Sequence, residues 1–235
     1  MQINRAFLYS VFNKLRRDLL LFIFRLRERR ADAQAIFDYY FRHNLFGDAE
    51  SLSGTGSSLS ATKTIRQGLA EILTELKPKS LLDIPCGDFN WTKEVDFRSC
   101  RYIGADIVKD LVEQNQKLYG NNDRKFLVLD ILNDPLPKVD LVLCRDLFIH
   151  FPNEDVFTAL TNIRRSGAKF LLTTSYSGEK RNRNIPLGSF RPLNLLLSPF
   201  RLPPPLKIIR DDDYLKFRGR TLCLWPVSHL PKDCS

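Results

Sequence analysis

A chain of 235 residues is long enough for one α/β domain with a sizeable core and an appendage, and too short for two full domains. With 43% hydrophobic and 27% charged residues, its composition is that of a folded protein and excludes global disorder. The net charge of +9 is concentrated at the start of the chain: residues 1–30 hold eight Lys/Arg against two acids, which leaves +3 on the other 205 residues and argues against a nucleic-acid partner.

Residues 1–46 read as a basic helical extension, and 47–235 as one domain. LLLFIF at 19–24 is a six-residue apolar run flanked by Arg16-Arg17 and RLRERR, far below the roughly 20 residues of a membrane span. It lacks a small-residue cleavage site, which argues against a secretory leader. Leu15, Leu19, Phe22, Ile23 and Leu26 recur at helical spacing. That stripe suits packing against the chain's own domain or a partner, with peripheral contact to the inner face of a membrane as the alternative.

SLSGTGSSLS at 51–60 is a loop by composition. Ser60 or Thr62 can cap the helix that follows, whose apolar positions Ile65, Leu69, Ile72, Leu73 and Leu76 repeat every three or four residues before Pro78 stops it. Five short apolar runs come next, at 80–84, 101–106, 125–130, 139–144 and 168–174, with helical stretches at 108–119 and at 153–165, where Asn153 is the expected cap. Continuous apolar strands alternating with helices imply a doubly wound, mostly parallel sheet covered on both faces. The proline-rich segment 191–206 excludes a regular helix or central strand and suggests an extended covering loop. LKIIRDD and TLCLWPV then read as a terminal strand pair, which makes seven strands with an antiparallel one at the end.

Cys86, Cys100, Cys144, Cys223 and Cys234 are widely spaced, with no CxxC and no His at ligand spacing. This pattern predicts reduced thiols in a cytoplasmic protein and no metal site.

Ligands of open α/β sheets bind beyond the carboxyl ends of the strands. There the sequence puts Asp83, then a turn with Gly87, then Asp106 and Asp130. Gly87 and Asp106 are 19 residues apart, near the spacing at which an acid reaches a ribose in dinucleotide folds.

LLDIPCGDFNW, YIGADI, FLVLDIL and VDLVLCRDLFIHF, in this order, resemble class I S-adenosylmethionine-dependent methyltransferases over roughly residues 51–226. More narrowly, SGTGSSLSATKTIR, DIPCGDFNW, LCRDLFIHF and RPLNLLLSPFRLP are similar to a group of small bacterial methyltransferase-like proteins. Pro85 stands where the family has its first loop glycine, and Phe89 where it has the third. The resemblance implies a Rossmann-like fold and S-adenosylmethionine as cofactor. It places Asp83, Pro85, Gly87 and Asp88 at the cofactor loop, Asp106 and Ile107 at the ribose, Asp130 and Ile131 near the adenine, Trp91 with Phe89 as walls, and Arg145 as a further cofactor contact. The 51–60 loop would fold over the cofactor's carboxylate end, near Thr62 or Arg66, and a lid at 186–206 would cover the acceptor.

Because a sulfonium methyl is already activated, positioning carries most of the chemistry. Where a base is needed, His150 and the Arg145-Asp146 pair beyond the fourth strand are the candidates. The expected activity is methyl transfer to an O or N atom of a small-molecule or glycan-type acceptor. The alternatives are a catalytically silent scaffold of the same fold and a nicotinamide-dependent oxidoreductase. The sequence does not specify an oligomeric state.

Overall fold

The computed structural model describes residues 32–46, 48–211 and 219–231. The stripe at 15–26 and Cys234 lie outside them. Helix α1 (Ala33–Arg42) starts where the Asp32 carboxylate accepts from the Ala35 N–H at 2.9 Å. This is the usual satisfaction of an orphan first-turn donor. Phe37 meets Phe151, and the Tyr40 hydroxyl donates to Gly188 O at 2.5 Å, so this part of the basic extension is seated on the main body.

Helix α2 (Lys63–Leu76) ends at Lys77, which adopts the left-handed conformation before Pro78. Its expected cap is different in kind. Thr62 donates its hydroxyl back to Ser58 O at 2.8 Å and caps no amide with its side chain, because the preceding turn presents a carbonyl within reach. Strand β1 (Ser80–Asp83), β2 (Arg101–Asp106), helix α3 (Lys109–Tyr119), β3 (Arg124–Val128) and β4 (Leu141–Cys144) follow. Helix α4 (Asn153–Arg165), β5 (Phe170–Tyr176), β6 (Lys207–Arg210) and β7 (Arg220–Pro226) complete the order. Pro152, not Asn153, occupies the cap position of α4. Asn153 is the first helical residue, and its side-chain oxygen instead accepts from Arg191 at 2.9 Å.

The seven strands form one sheet in the order β3-β2-β1-β4-β5-β7-β6. β1 to β5 pair in parallel, while β7 runs antiparallel to both β5 and β6. The antiparallel strand expected at the end of the chain is therefore inserted between β5 and the edge. β1 and β4 are buried throughout, while edge strand β3 exposes Lys125, Leu127 and Val128.

Period-two alternation divides the core. Leu82, Val142, Leu171, Cys223 and Trp225 face α4, with Val156, Ala159, Leu160 and Ile163 against them. Leu81, Leu141, Leu143, Leu172, Leu222 and Leu224 face α2, with Ile65, Leu69 and Ile72. Gly68 lets α2 lie against β6, since a Cβ there would come within 2.7 Å of the Ile209 side chain. Chain order reverses between β1 and β4, which opens a crevice at their carboxyl ends.

Candidate active site

The loop after β1 is tied to both neighbouring strands. Ile84 N–H donates to Leu143 O at 2.9 Å, and Cys86 N–H to Ala105 O at 2.8 Å. Gly87 N–H donates to the Asp106 carboxylate at 3.1 Å. Gly87 has φ +55, in the region that costs a side-chain-bearing residue roughly 1–2 kcal/mol. A Cβ there would also approach Ser53 Oγ to 2.1 Å. The third glycine of the family pattern is not required for this path, since Phe89 itself adopts φ +58. The Phe89 ring is fully buried among Tyr102, Tyr119 and Phe126, so it belongs to the core and not to a ligand wall.

Asp83 and Asp106 are both buried. Tyr102 donates its hydroxyl to Asp83 at 2.6 Å, yet burial pushes Asp83 up to about 7. Burial also raises Asp106 to about 6, opposed by amide bonds from Val108 and Gly87. Groups with a folded-state pKa above the unfolded value of 3.8 bind more protons in the native state. Their stabilising contribution is complete below that value and is lost as pH rises through 6 and 7. Thermal melts should therefore show lower stability at pH 8 than at pH 5. Asp83→Asn, which keeps the acceptor for Tyr102, should remove much of this slope, on the order of a few kcal/mol. An unchanged slope in the variant would reject Asp83 as its source.

The 51–60 loop lies on this crevice. Asp88 accepts from Leu52 N–H at 2.7 Å and from the hydroxyls of Ser51 and Ser53 at 3.0 and 3.4 Å. Glu50 holds the loop closed by accepting from Leu59 N–H at 2.6 Å and from the Asn90 amide at 3.0 Å. Further along, Gly56 O accepts from Arg145 at 2.8 Å. Thr62 bonds within its own turn, and Arg66 donates to Leu59 O at 2.9 Å.

Asp130 turns its carboxylate onto Leu132 N–H and the Asn133 amide, at 2.9 and 2.6 Å. Ile131 packs with Leu82 and Ile84 in the core, while Ile107 and Pro85 are half-buried at the crevice.

Beyond β4, four charges converge. Arg145 pairs with Asp211 at 3.2 Å and with Asp146 at 3.5 Å, and its guanidinium lies 5.4 Å from the Trp91 ring centroid. Arg220 pairs with Asp211 at 3.0 Å and with Asp146. The side chains of Arg145, Asp211 and Arg220 are at most 4% exposed, against 26% for Asp146. Burial works against an ionised Asp146, but Arg220 and Arg145, with a bond from Thr174, hold it below the ordinary carboxylate range. Asp146 also sits at φ +60. His150 lies one turn on, between the rings of Phe46 and Phe190 at 5.7 and 6.0 Å.

Sequence reasoning missed three contributors. Asn115 is buried on the inward face of α3 and donates to Gly87 O at 2.7 Å. A polar residue one turn beyond Leu111 on an apolar stripe was the available signal. Asp211 and Arg220 had none, since nothing local separates Asp211 from its acidic neighbours.

A mostly parallel sheet of this order, with β7 antiparallel, an acid ending β2 and a glycine in the loop after β1, defines a Rossmann-like fold of the class I methyltransferase type. Residues 81–168 match the family model described as a methyltransferase domain. No curated protein sequence matches the chain. Among solved structures, magnesium protoporphyrin IX methyltransferase from Synechocystis PCC 6803 with bound S-adenosylmethionine is similar at a TM-score of 0.59 and 14% identity, over 83% of this chain and 97% of that one. Human N-acetylserotonin methyltransferase in complex with S-adenosylmethionine gives 0.58 and 14%, over 83% and 59%. PigF with S-adenosylhomocysteine gives 0.58 and 16%, over 81% and 62%. Residues 81–168 thus match a methyltransferase domain, the wider chain shares the fold of these structures, and S-adenosylmethionine is the cofactor that such a match implies.

The residues present fit that group. Gly87 lets the loop after β1 turn with Ser53 packed where a side chain would stand, which keeps the backbone path beside Asp106 open and narrow. Asp106 receives the amides of Gly87, Val108 and Ile107, which still leaves acceptor capacity among the roughly four positions a carboxylate offers for a ribose hydroxyl. Among the described residues no group of His, Cys, Asp and Glu is arranged to hold a metal ion, and no helix is long and apolar enough to cross a membrane.

Proposed function

We propose that the protein transfers the methyl group of S-adenosylmethionine to an oxygen or nitrogen atom of a small-molecule acceptor, glycan-type acceptors included. The observation that carries this reading is the placement of Asp106, Gly87 and Asp146 at or just beyond the carboxyl ends of the contiguous strands β2, β1 and β4, with His150 electrostatically coupled to Asp146. When bound, the cofactor supplies a methyl group on a positively charged sulfur, which leaves as a neutral thioether.

The chain's own residues do the rest. Asp106 would hold the ribose, and the Gly87 and Asp88 backbone the amino-acid end. The half-buried Ile107 would lie beside the adenosine, with Ile131 packed behind it in the core and Asp83 supporting the loop from beneath. The Asp88 and Asp130 carboxylates serve chiefly to shape their loops. Arg145 acts as a positioning residue, because its guanidinium is committed to Asp146, Asp211 and Gly56 O. His150 is the base that takes the acceptor's proton. Asp146, held ionised beside it, favours the imidazolium that results. Phe46 and Phe190 around His150 give the acceptor end an apolar wall that limits water.

The test is transfer of isotopically labelled methyl to a panel of hydroxyl and amine acceptors, with His150→Gln in parallel. Loss of a general base typically costs about 10²–10⁴-fold in rate. A variant that keeps the wild-type rate would remove His150 from the chemistry.

A further inference from the structure

Within the segment 186–206, residues 188–191 run along 148–153. Gly188 N–H donates to His150 O at 2.8 Å, and Arg191 N–H to Ile149 O at 3.0 Å. The Arg191 side chain is completely buried. It donates to Phe151 O at 2.6 Å, Phe148 O at 3.2 Å and the Asn153 side-chain oxygen at 2.9 Å. A buried guanidinium is costly unless its donors are used. Here both terminal nitrogens are spent on the backbone of the short turn that carries His150 and on the first residue of α4, while Nε is buried without a partner. From the other side, the Tyr40 hydroxyl of α1 fastens Gly188. Between these ties, Ser189 O lies 2.9 Å from His150 Nδ1. A carbonyl oxygen can only accept, so Nδ1 carries the proton of the neutral ring.

We propose that the strap 188–191 is a positioning element for the base. Ser189 O takes the Nδ1–H of His150 and thereby assigns Nε2 as the atom that receives the acceptor's proton, while Arg191 holds strap and turn in register. The inference rests on the reading of His150 as base, but its evidence is separate. In the reaction the acceptor atom bonds to the methyl carbon as the carbon–sulfur bond breaks and its electron pair leaves on the thioether sulfur; the acceptor's O–H or N–H proton passes to Nε2, and Nδ1–H keeps its bond to Ser189 O. Asp146 and the rings of Phe46 and Phe190 face the same imidazole.

The test is nitrogen NMR of the whole chain labelled at histidine, recorded where imidazoles are neutral. Only three histidines are present, so His150→Gln identifies the signal. The wild type should favour the Nδ1–H form by about fivefold or more, the ratio that one hydrogen bond of ordinary net strength gives. Arg191→Met should shift the ratio toward Nε2–H, and Arg191→Lys should fall between. Should Arg191→Met fail to fold, the wild type and Arg191→Lys suffice. A wild-type ring that is predominantly Nε2–H overturns the proposal, as does a ratio unmoved in a folded Arg191 variant. The spectrum needs neither cofactor nor acceptor. It is therefore independent of the His150→Gln rate, and failure of the base reading and failure of the strap are distinguishable.

Discussion

Replacing Asp106 with alanine is expected to weaken binding of S-adenosylmethionine and S-adenosylhomocysteine by about 10- to 100-fold. A hydrogen bond to a charged group contributes roughly 1.5–3 kcal/mol, and each 1.4 kcal/mol is tenfold in affinity. The variant also frees Gly87 N–H, which the carboxylate now fixes at 3.1 Å. Its melting temperature at neutral pH should fall little, because the removed carboxylate is one that burial opposes. Affinity loss and unfolding are thereby separated in one sample. Calorimetric titration of both sulfur ligands, with NAD as control, is the measurement. Equal affinity in wild type and variant would reject Asp106 as the ribose acid. NAD binding in place of the sulfur ligands would redirect the protein to hydride chemistry, and no binding at all by a folded sample would favour a scaffold role.

Arg220→Met should produce the largest loss of stability, about 3–5 kcal/mol, because breaking a buried ion pair from one side leaves charge uncompensated. For a chain of this size that corresponds to a fall in Tm of about 10 °C or more. Asp211 would keep only Arg145, and Asp146 would keep Arg145 and Thr174. Adding Asp211→Asn to the variant should recover part of the loss, since the two residues share one network and their effects are not additive. The pH dependence has a definite sign. Asp146 is held below its ordinary value, so its contribution is present above 3.8 and is lost as pH falls through the lower folded value. The gap between wild type and Arg220→Met should therefore narrow in acid. A gap that stays constant would mean that methionine costs packing and not charge.

The local chemistry of the sequence was sufficient for the seven strands, their alternation with helices and the acids at the ends of β1 and β2. A strand buried on both faces needs a continuous apolar run, and a helix on a sheet needs an apolar stripe. Both are properties of neighbours in sequence. The same locality misled at the caps of α2 and α4, where residues of capping type found other partners. Thr62 reached a carbonyl of its own turn, and Asn153 was taken by Arg191, 38 residues away.

What the sequence by itself determined was the class of fold and the places along the chain where a ligand meets it. What only the tertiary structure decided was how the charges and the base are held. Arg145 meets Asp211 across 66 residues, Arg220 meets Asp146 across 74, and His150 meets Ser189 across 39. Asp88 closes on the loop at 51–53 over some 35 residues. The two Arg–Asp pairings follow from insertion of β7 between β5 and β6, which brings the start of one strand next to the ends of others. Periodicity records which face of an element is buried, but it carries no information about which buried faces become neighbours. A carboxylate's partner is set by that neighbourhood.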